Sequence, residues 1–331
     1  MRGSSAAFFV GIKSRPRLSS TSVGAPRRVA RVSVPAAKTA VRRIVRGDNL
    51  EALAALPRAF SRLAYIDPPF NTGRVQKRDR MKVSSADATP VSANAKASRV
   101  GFQGRRFNVE RVVSSTYRDA FEDYVPFLMA RIEAALPCLT PDASLFVHLD
   151  AREVHYVKVA LDGLLGRASF KNEIIWAYDY GARSKERWPA KHDTILWYVR
   201  DPKRYVFEYD AIDRIPYMAP KLVTPEKAAR GKTPTDVWWN TIVPTAGREK
   251  TGYPTQKPLA ILERIVKVHS KPGDVVLDFF ADSGTTGEAA AKHGRGFVLV
   301  DESLEACRVA ARRLAAYRPR LEGFKLRAGA S

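Results

Sequence analysis

A chain of 331 residues is long enough for one large α/β domain, alone or with a smaller insert. Its 56 Lys and Arg outnumber its 34 Asp and Glu, and the net charge of +22 favours a polyanionic partner, either nucleic acid or an anionic membrane surface. The sequence predicts no membrane span, because no run of about 18 apolar residues occurs, and no structural metal, because Cys138 and Cys307 lack metal-binding spacing and are expected to be buried free thiols.

The first 40 residues contain no Asp or Glu and are rich in Arg, Lys, Ser, Ala and Pro. This composition predicts a disordered basic arm over nucleic-acid phosphates. An organelle targeting segment, or a start codon placed too far upstream, would have the same composition. We expect the folded domain to span residues 41–313 and residues 314–331 to form a basic C-terminal tail.

Strands and helices alternate along the rest of the chain. Periodicity predicts strands at 41–46, 61–66, 144–149, 173–176, 194–199, 274–280 and 296–300. It predicts helices at 50–56, 121–136, 153–165, 258–269 and after residue 284. Residues 74–113 have no clear period and are predicted to be a mobile insertion, while 201–250 is irregular, basic and aromatic. The alternation is typical of a doubly wound α/β fold, with a mostly parallel sheet covered by helices on both faces.

The first segment with chemical character is Tyr65-Ile66-Asp67-Pro68-Pro69-Phe70-Asn71-Thr72-Gly73, directly after an apolar strand. Ligands of doubly wound sheets bind at the carboxyl ends of the strands, where this segment falls. The prolines leave carbonyl acceptors, Asp67 adds a carboxylate, and Phe70 adds a flat apolar face. These groups suit a planar base with an amino group, which they can stack on and hydrogen-bond at once. Asp-Pro-Pro alone would favour a rigid turn.

The second segment, Val275 to Gly287, leads a hydrophobic strand into a small-residue turn at 281–285 and then into a helix. Such a turn lets a ligand approach the backbone and the helix N-terminus. The next strand ends in Asp301, at about the offset where an acid accepts ribose hydroxyls from an adenosine-type cofactor. Turn and acid together predict a cofactor site, and a purely structural strand–helix–strand unit is the alternative.

The third segment, Thr251 to Pro258, precedes the helix that leads into the second segment. Thr255 and Pro258 suit the first turn of a helix, so capping is the local interpretation. The N-terminus of this helix is also a place for a carboxylate, such as the amino-acid end of a cofactor.

The three segments in this order resemble the beta group of DNA amino-methyltransferases, and most of all Mod-type and related site-specific adenine methyltransferases. The similarity covers roughly Arg43 to Arg313. It is carried by GDNLEALAALP at 47–57, IDPPFNTG at 66–73, SLFVHLD at 144–150, NEIIW at 172–176, HDTILWY at 192–198 and TGYPTQKP at 251–258. The resemblance implies a seven-stranded-type methyltransferase sheet, circularly permuted so that the catalytic segment precedes the cofactor turn, with a small DNA-recognition insert.

The resemblance also implies residue roles in transferring a methyl group from S-adenosylmethionine to the exocyclic amine of a flipped base. Asp67 and the carbonyl of Pro68, followed by Pro69, would accept hydrogen bonds from the amine, and Phe70 would stack on the base. The turn would hold the methionine part of the cofactor, Asp301 its ribose and Asp48 its adenine amine. The implied cofactor-binding residues are Asp48, Thr255, Lys257, Asp278, Phe280, Ala281, Asp282, Ser283, Gly284, Thr285 and Asp301.

One residue departs from the pattern of the family. The family's turn usually reads FAGSGTT, whereas Asp282 replaces a glycine here. If the position needs a positive φ, a side chain costs on the order of 1–2 kcal/mol, less for Asp. The carboxylate would either crowd the cofactor or pair with its positive groups. Because the other motifs are intact, we expect an active enzyme, with a catalytically impaired DNA-binding protein as the alternative.

On this resemblance the polyanionic partner is double-stranded DNA, contacted by the insertion and by a target-recognition region at 201–250. The expected DNA contacts are Lys77, Arg78, Arg105, Arg106, Lys203, Arg204, Lys221, Lys232 and Trp238. No Pro-Cys pair follows a suitable strand, which argues against cytosine C5 methylation. The permuted motif order argues against an RNA or protein methyltransferase.

In the family, members with aspartate before the PPF segment mostly methylate adenine, and members with serine there mostly methylate cytosine. Asp67 therefore favours adenine N6, with cytosine N4 as the alternative. A homodimer, a cognate restriction nuclease and a cytoplasmic location beside a bacterial nucleoid are further expectations from the family. Organelle targeting by residues 1–40 stays open.

Overall fold

The computed structural model describes residues 41–85, 98–100, 106–119, 121–181, 183–244, 247, 249–253 and 255–326. The predicted basic arm at 1–40 and Arg105 lie outside these residues.

Twelve strands are described. In chain order they are β1 (Arg42–Arg46), β2 (Ser61–Ile66), β3 (Arg74–Ser85), β4 (Ser98–Val100), β5 (Arg106–Asp119), β6 (Leu139–Leu149), β7 (Phe170–Ala177), β8 (His192–Val199), β9 (Val237–Trp239), β10 (Val275–Asp278), β11 (Gly296–Asp301) and β12 (Arg320–Glu322). Nine of them form one sheet in the order β12-β1-β11-β10-β2-β6-β8-β7-β9. Its neighbouring strands are parallel except that β8 runs antiparallel to both β6 and β7.

Helices cover both faces of this sheet. They are α1 (Asn49–Ala54), α2 (Tyr124–Ala135), α3 (Val154–Leu165), α4 (Pro225–Arg230), α5 (Leu259–His269), α6 (Thr285–Lys292) and α7 (Leu304–Arg313). Along β2, Leu63 and Tyr65 pack in one hydrophobic cluster with α5, α6 and α7, while Ala64 and Ile66 pack in a second cluster with α1, α2 and α3. Successive side chains of a strand point to opposite faces, so a central strand buried on both faces is apolar throughout. The doubly wound, mostly parallel fold predicted from the sequence is confirmed.

The parallel strands define two edges of the sheet. The edge at which β1, β2, β6, β10 and β11 end is called the carboxyl edge, and the opposite edge is called the amino edge. Because β8 is antiparallel to β6, it begins at the carboxyl edge, and β7 and β9 end there. Loops at the carboxyl edge are therefore the ones that build a ligand site in such a fold.

Two segments for which the sequence predicted no regular structure, 74–113 and 314–331, contain strands. The insertion at 74–113 is not without regular structure, because β3, β4 and β5 form a separate antiparallel sheet in which β3 pairs with β5 along its whole length. The large sheet has nine strands, because a three-residue strand is added at each edge of a seven-stranded sheet. One of them, β12, lies in the predicted C-terminal tail and is held to β1 by the Arg43–Glu322 ion pair at 2.7 Å.

The expected DNA contact by Trp238 is wrong. Trp238 is 8% exposed and belongs to the core, with its indole nitrogen donating to the carbonyl of Thr235 at 3.1 Å. The side chain of Arg264 lies 4.7 Å from its ring centroid. On the other edge strand, β9, successive side chains point to opposite faces, so of its two tryptophans Trp239 is the exposed one, at 76%.

Both cysteines are buried and free, as predicted. Within the part of the chain that the structure describes, no helix is long and apolar enough to cross a membrane.

The two adjacent tryptophans provide a test of the fold. We expect Trp238→Ala to lower the free energy of unfolding by about 3–5 kcal/mol, because a large buried side chain is lost from the core. Trp239→Ala should change it by less than about 0.5 kcal/mol, because an exposed side chain is removed. Chemical denaturation of both variants measures the difference. Equal losses would contradict the assigned orientation of β9.

Candidate active site

The end of β2 carries a buried ion pair. Asp67 follows Ile66 directly, and its Oδ2 is bonded to the ammonium of Lys257, from the segment before α5. The two side chains are 9% and 11% exposed. Burial disfavours the charged form of Lys257, but the carboxylates of Asp67 and Asp193 outweigh it and hold its pKa above the ordinary value. The other oxygen of Asp67, Oδ1, is buried and has no hydrogen-bond partner among the described residues.

An aromatic ring lies under the ammonium of this ion pair. The Lys257 ammonium stands 4.7 Å from the ring centroid of the half-buried Phe70, and Phe70 lies 6.0 Å from the ring of His148. His148 is fully buried, between the hydroxyl of Tyr65 at 2.6 Å and a carboxylate oxygen of Asp193 at 3.2 Å. A carboxylate only accepts, so Nε2 of His148 donates to Asp193, while Nδ1 shares a hydrogen bond with the Tyr65 hydroxyl. This network, which sequence reasoning missed, fixes the surface beneath Phe70.

Asp278 holds the turn after β10 in shape. Its two carboxylate oxygens accept from the Thr286 hydroxyl at 2.6 Å and from the Phe280 backbone N–H at 3.0 Å. Burial raises the pKa of Asp278 to about 8, even though both bonds favour the ionised form. Later in the turn, Gly284 has φ +75°, and a Cβ there would lie 2.8 Å from that of Ala310. The turn therefore needs its glycine at 284.

Asp282, the residue that replaces the family's glycine, has φ +47°. This left-handed conformation costs a non-glycine residue roughly 1–2 kcal/mol. Two hydrogen bonds hold the carboxylate, from the hydroxyl of Tyr253 at 2.6 Å and from that of Thr255 at 2.7 Å. Asp282 thus ties the turn to the segment before α5. Loss of contact with water and the neighbouring Asp67 raise its pKa.

Asp301, at the end of β11, stands behind this turn. Its Oδ2 accepts from the backbone N–H of Asp282 at 2.9 Å, and its Oδ1 from that of Ser303 at 2.8 Å. Burial, and next the charge of Asp282, raise its pKa to about 7. Burial therefore disfavours the charged form of both Asp278 and Asp301 in the free protein.

A cleft at the carboxyl edge brings together most of the predicted site. Its described lining residues are Tyr65, Asp67, Thr255, Lys257, Leu262, Asp278, Phe280, Ala281, Asp282, Ser283, Thr285 and Thr286. Tyr65, Leu262 and Thr286 were not predicted, although Tyr65 and Thr286 lie inside the segments that the sequence singled out. Lys257 is the one cation in this lining, against three aspartates.

Asp48 lies at the same edge but is not part of this lining. Its Oδ1 caps helix α1 by accepting from the backbone N–H of Leu50 at 2.8 Å, and its Oδ2 faces Arg131 at 3.5 Å. The next residue, Asn49, is buried and donates to the carbonyl of Phe279 at 3.2 Å. Its Oδ1 has no partner within the described ranges, so Asn49 offers the free acceptor at this place. A contact between Asp48 and an adenine stays a prediction.

The structure does not bring the expected contacts of the 201–232 segment to the cleft. Lys203 and Arg204 follow β8 where it ends, at the amino edge. The chain then stays near the end of α5, where the N–H of Glu208 donates to the carbonyl of Val268 at 2.8 Å and Lys267 pairs with Asp213 at 2.5 Å. Lys221 lies on a short exposed turn, and Lys232 pairs with Ile215 in an isolated bridge. Basic and aromatic composition did not show which edge this segment reaches, because antiparallel β8 carries the chain away from the site.

The insertion keeps its predicted place. It begins immediately after Gly73, so β3, with Lys77 and Arg78, starts beside the catalytic segment, and Arg106 begins β5. Contacts of these three residues with DNA stay predictions.

The fold and cleft define a doubly wound protein with a ligand site at the ends of its parallel strands, and the lining of this site is negatively charged. A model of the N6/N4 DNA methylase family matches residues 61–312, about three quarters of the chain, and the protein belongs to that family. It is therefore a DNA methyltransferase, and its cofactor is S-adenosylmethionine.

Sequence relatives carry consistent names. The DNA adenine methyltransferase YhdJ of Escherichia coli is 26% identical over 279 residues, 82% of this chain and 82% of that protein. The type II methyltransferase M.ScaI of Streptomyces caespitosus is 28% identical over 75% of this chain and 73% of its own length.

Solved structures share the fold. The M1.HpyAVI–SAM complex has a TM-score of 0.51 at 20% identity and covers 82% of this chain and 98% of its own. The cytosine-N4-specific PvuII DNA methyltransferase has a TM-score of 0.54 at 14% identity, with 86% and 95% covered.

The residues of the cleft fit this cofactor. S-adenosylmethionine has positive charges on its sulfonium and ammonium groups, and three aspartates with one already paired lysine favour a cation. A backbone turn at a helix N-terminus, kept open by Gly284, accepts the close approach of a ligand.

Asp282 provides a test of this electrostatic fit. We expect Asp282→Asn to weaken binding of S-adenosylmethionine more than that of S-adenosylhomocysteine, because the first ligand carries one more positive charge. The ratio of the two affinities should fall on the order of tenfold. Titration calorimetry with both ligands measures it. Asp282→Gly is the control for side-chain volume, and tighter cofactor binding by that variant would show that Asp282 crowds the site.

A second test measures the protons that are released when the cofactor binds. A bound cation favours ionised carboxylates, so binding of S-adenosylmethionine should release protons from groups such as Asp301 and Asp278, with pKa values of about 7 and about 8. By linkage, affinity should rise as the pH increases through these values and level off above them. Calorimetry at neutral pH in buffers of different ionisation enthalpy counts the protons released, and Asp278→Asn should reduce the count. Proton uptake on binding would contradict the assignment.

Proposed function

We propose that the protein methylates the N6 amine of adenine in double-stranded DNA, using Asp67 as the acceptor that orients the amine. The observation that carries the proposal is the free Oδ1 of Asp67, buried in the cofactor cleft beside Phe70. A buried acceptor without a partner is costly, so its persistence at this place indicates a ligand that donates a hydrogen bond. The amino group of a base is such a donor.

The residues around Asp67 prepare the amine for reaction. Lys257 holds Oδ2 and so fixes the direction in which Oδ1 accepts. The Pro68 carbonyl supplies a second acceptor in the same segment. Two acceptors on one amine favour a tetrahedral nitrogen, whose lone pair is no longer delocalised into the ring and can attack. The proton that the nitrogen loses leaves along its hydrogen bond to Asp67.

Phe70 and the turn position the two reactants. The half-buried ring of Phe70, supported by His148, offers a stacking surface for a base outside the helix. The 281–285 turn, Thr255, Lys257 and Asp301 would hold the cofactor, and Asn49 or Asp48 its adenine. S-adenosylmethionine supplies an activated methyl group on its sulfonium sulfur. Holding both reactants at the carboxyl edge provides the proximity that the transfer needs.

The choice of adenine over cytosine rests on two supports. Asp67 precedes the PPF segment as in the adenine-specific members that the sequence resembles, and the E. coli relative is named an adenine methyltransferase. Hydrogen-bonding chemistry alone does not separate the bases, since both present the same amino group. Cytosine N4 is the alternative outcome of the test below.

The remaining partners are also proposals. The type II name of the S. caespitosus relative favours a cognate restriction nuclease that reads the same sequence. A homodimer and a cytoplasmic location beside the nucleoid stay predictions.

Transfer of label tests the proposal directly. Purified protein is incubated with unmethylated genomic DNA and isotopically labelled S-adenosylmethionine, and the nucleosides are analysed by mass spectrometry. We expect labelled N6-methyladenine. Labelled N4-methylcytosine would keep the mechanism and overturn the base assignment, whereas unlabelled DNA would contradict the activity.

Asp67→Asn tests the role of the carboxylate. The amide keeps the shape but loses the charged acceptor, so we expect kcat to fall on the order of 10²–10³-fold. Binding of S-adenosylmethionine, measured by calorimetry, is the control that separates this effect from a damaged cleft. A variant with wild-type kcat would remove Asp67 from the mechanism.

A further inference from the structure

Residues 178–181 and 183–191, between β7 and β8, belong to a loop at the carboxyl edge, which we call the 178–191 loop. Its base lies where Ala177 pairs with His192. β8 is separated from β2 by one strand, and β2 leads into Asp67. Neighbouring strands are about 4.8 Å apart, so the base of the loop stands roughly 10–15 Å across the sheet from the catalytic segment. The loop is thus in position to form one wall of the catalytic cleft.

A series of aromatic contacts connects the base of this loop to Phe70. Successive aromatic rings lie 6.0 Å apart from Phe70 to His148, 5.6 Å from His148 to Trp176, and 5.0 Å from Trp176 to Tyr178. The hydroxyl of Tyr178 also donates to Asp193, the partner of His148, at 3.1 Å. Packed rings and buried hydrogen bonds give the loop a fixed origin relative to Phe70.

Beyond this base the loop is exposed, aromatic and basic. Trp188 is 96% exposed and Tyr180 is 61% exposed, while Trp239, which pairs with Ala177 on the neighbouring strand, is 76% exposed. Three exposed aromatic side chains at one edge are characteristic of an interaction surface. Lys185 and Arg187 precede Trp188 closely in the chain and are exposed as well. Positive charge interleaved with aromatic rings complements a nucleic acid, whose phosphates and bases need both.

We infer that the 178–191 loop and Trp239 form a DNA-binding wall, in which Lys185 and Arg187 contact phosphates beside the target nucleotide and Trp188 stacks on DNA bases. The inference rests on the proposed function, which places DNA at this edge. A base that leaves the helix exposes the faces of its neighbours, and an aromatic side chain that covers them offsets part of the cost of unstacking. This wall replaces the 201–232 segment as the source of recognition contacts outside the insertion.

Two double variants with the same loss of charge test the phosphate contacts. We measure the affinity of Lys185→Ala/Arg187→Ala and of Lys203→Ala/Arg204→Ala for a 30-base-pair duplex that the wild-type protein methylates, over a range of salt concentrations. Each lost phosphate contact should reduce the slope of log K against log salt by about 0.9, so the loop variant should lose about 2. The amino-edge variant should keep the wild-type slope. Equal slopes in the two variants would overturn the inference.

Trp188→Ala and Trp188→Phe test stacking. Because the side chain is almost fully exposed, neither variant should alter folding. We expect Trp188→Ala to bind the duplex on the order of tenfold more weakly, and Trp188→Phe to recover most of the loss. Binding of S-adenosylmethionine should stay unchanged in both. Wild-type DNA affinity of Trp188→Ala would refute stacking, whereas failure of the wild-type protein itself to methylate DNA would refute the proposed function instead.

Discussion

The buried ion pair between Asp67 and Lys257 is the contact on which the site depends. The two residues are 190 positions apart, one at the end of β2 and the other before α5. A buried charge without its partner costs several kcal/mol, so each holds the other's segment in place. The pair thereby joins the catalytic segment to the stretch that leads through α5 and β10 into the cofactor turn. It also leaves a single oxygen of Asp67 free, which gives the carboxylate its direction.

Around this pair the cleft is strongly anionic, and its excess of aspartates is the second constraint. Asp278 is committed to the backbone of the turn and Asp301 to the N–H groups of Asp282 and Ser303, so their geometry is structural as well as functional. Asp282 adds a charge where the family usually has none. Its hydrogen bonds to Tyr253 and Thr255 offset the cost of its positive φ and keep the carboxylate in the cleft wall. In the free protein, burial and repulsion between the carboxylates raise their pKa values, whereas a bound cation favours their ionised forms. Cofactor binding is therefore linked to pH.

The net charge of +22 is distributed over regions with different roles. Lys203, Arg204 and the residues near Tyr209 lie at the amino edge, where Arg214 stacks on the Tyr209 ring at 4.3 Å. Lys185 and Arg187 lie at the carboxyl edge beside exposed aromatic rings. Charge counted along the chain could not separate these groups, because the direction of β8 decides which edge each one reaches.

The sequence by itself determined the fold class, the family and most of the cleft. Buried parallel strands are apolar throughout, and the Asp67 and Asp278 segments follow such strands directly, so local pattern was enough to place them at the carboxyl edge. Only the tertiary structure decided which partners these residues meet. Contacts between elements far apart in the chain set these partners. They are the Tyr65–His148–Asp193 network, the ion pair of Lys257 with Asp67, and the hydrogen bonds that the Tyr253 and Thr255 hydroxyls donate to Asp282. Likewise, the burial of Trp238, the exposure of Trp188 and the amino-edge position of Lys203 depend on which face or edge an element presents, and that is set by packing against neighbours rather than by composition.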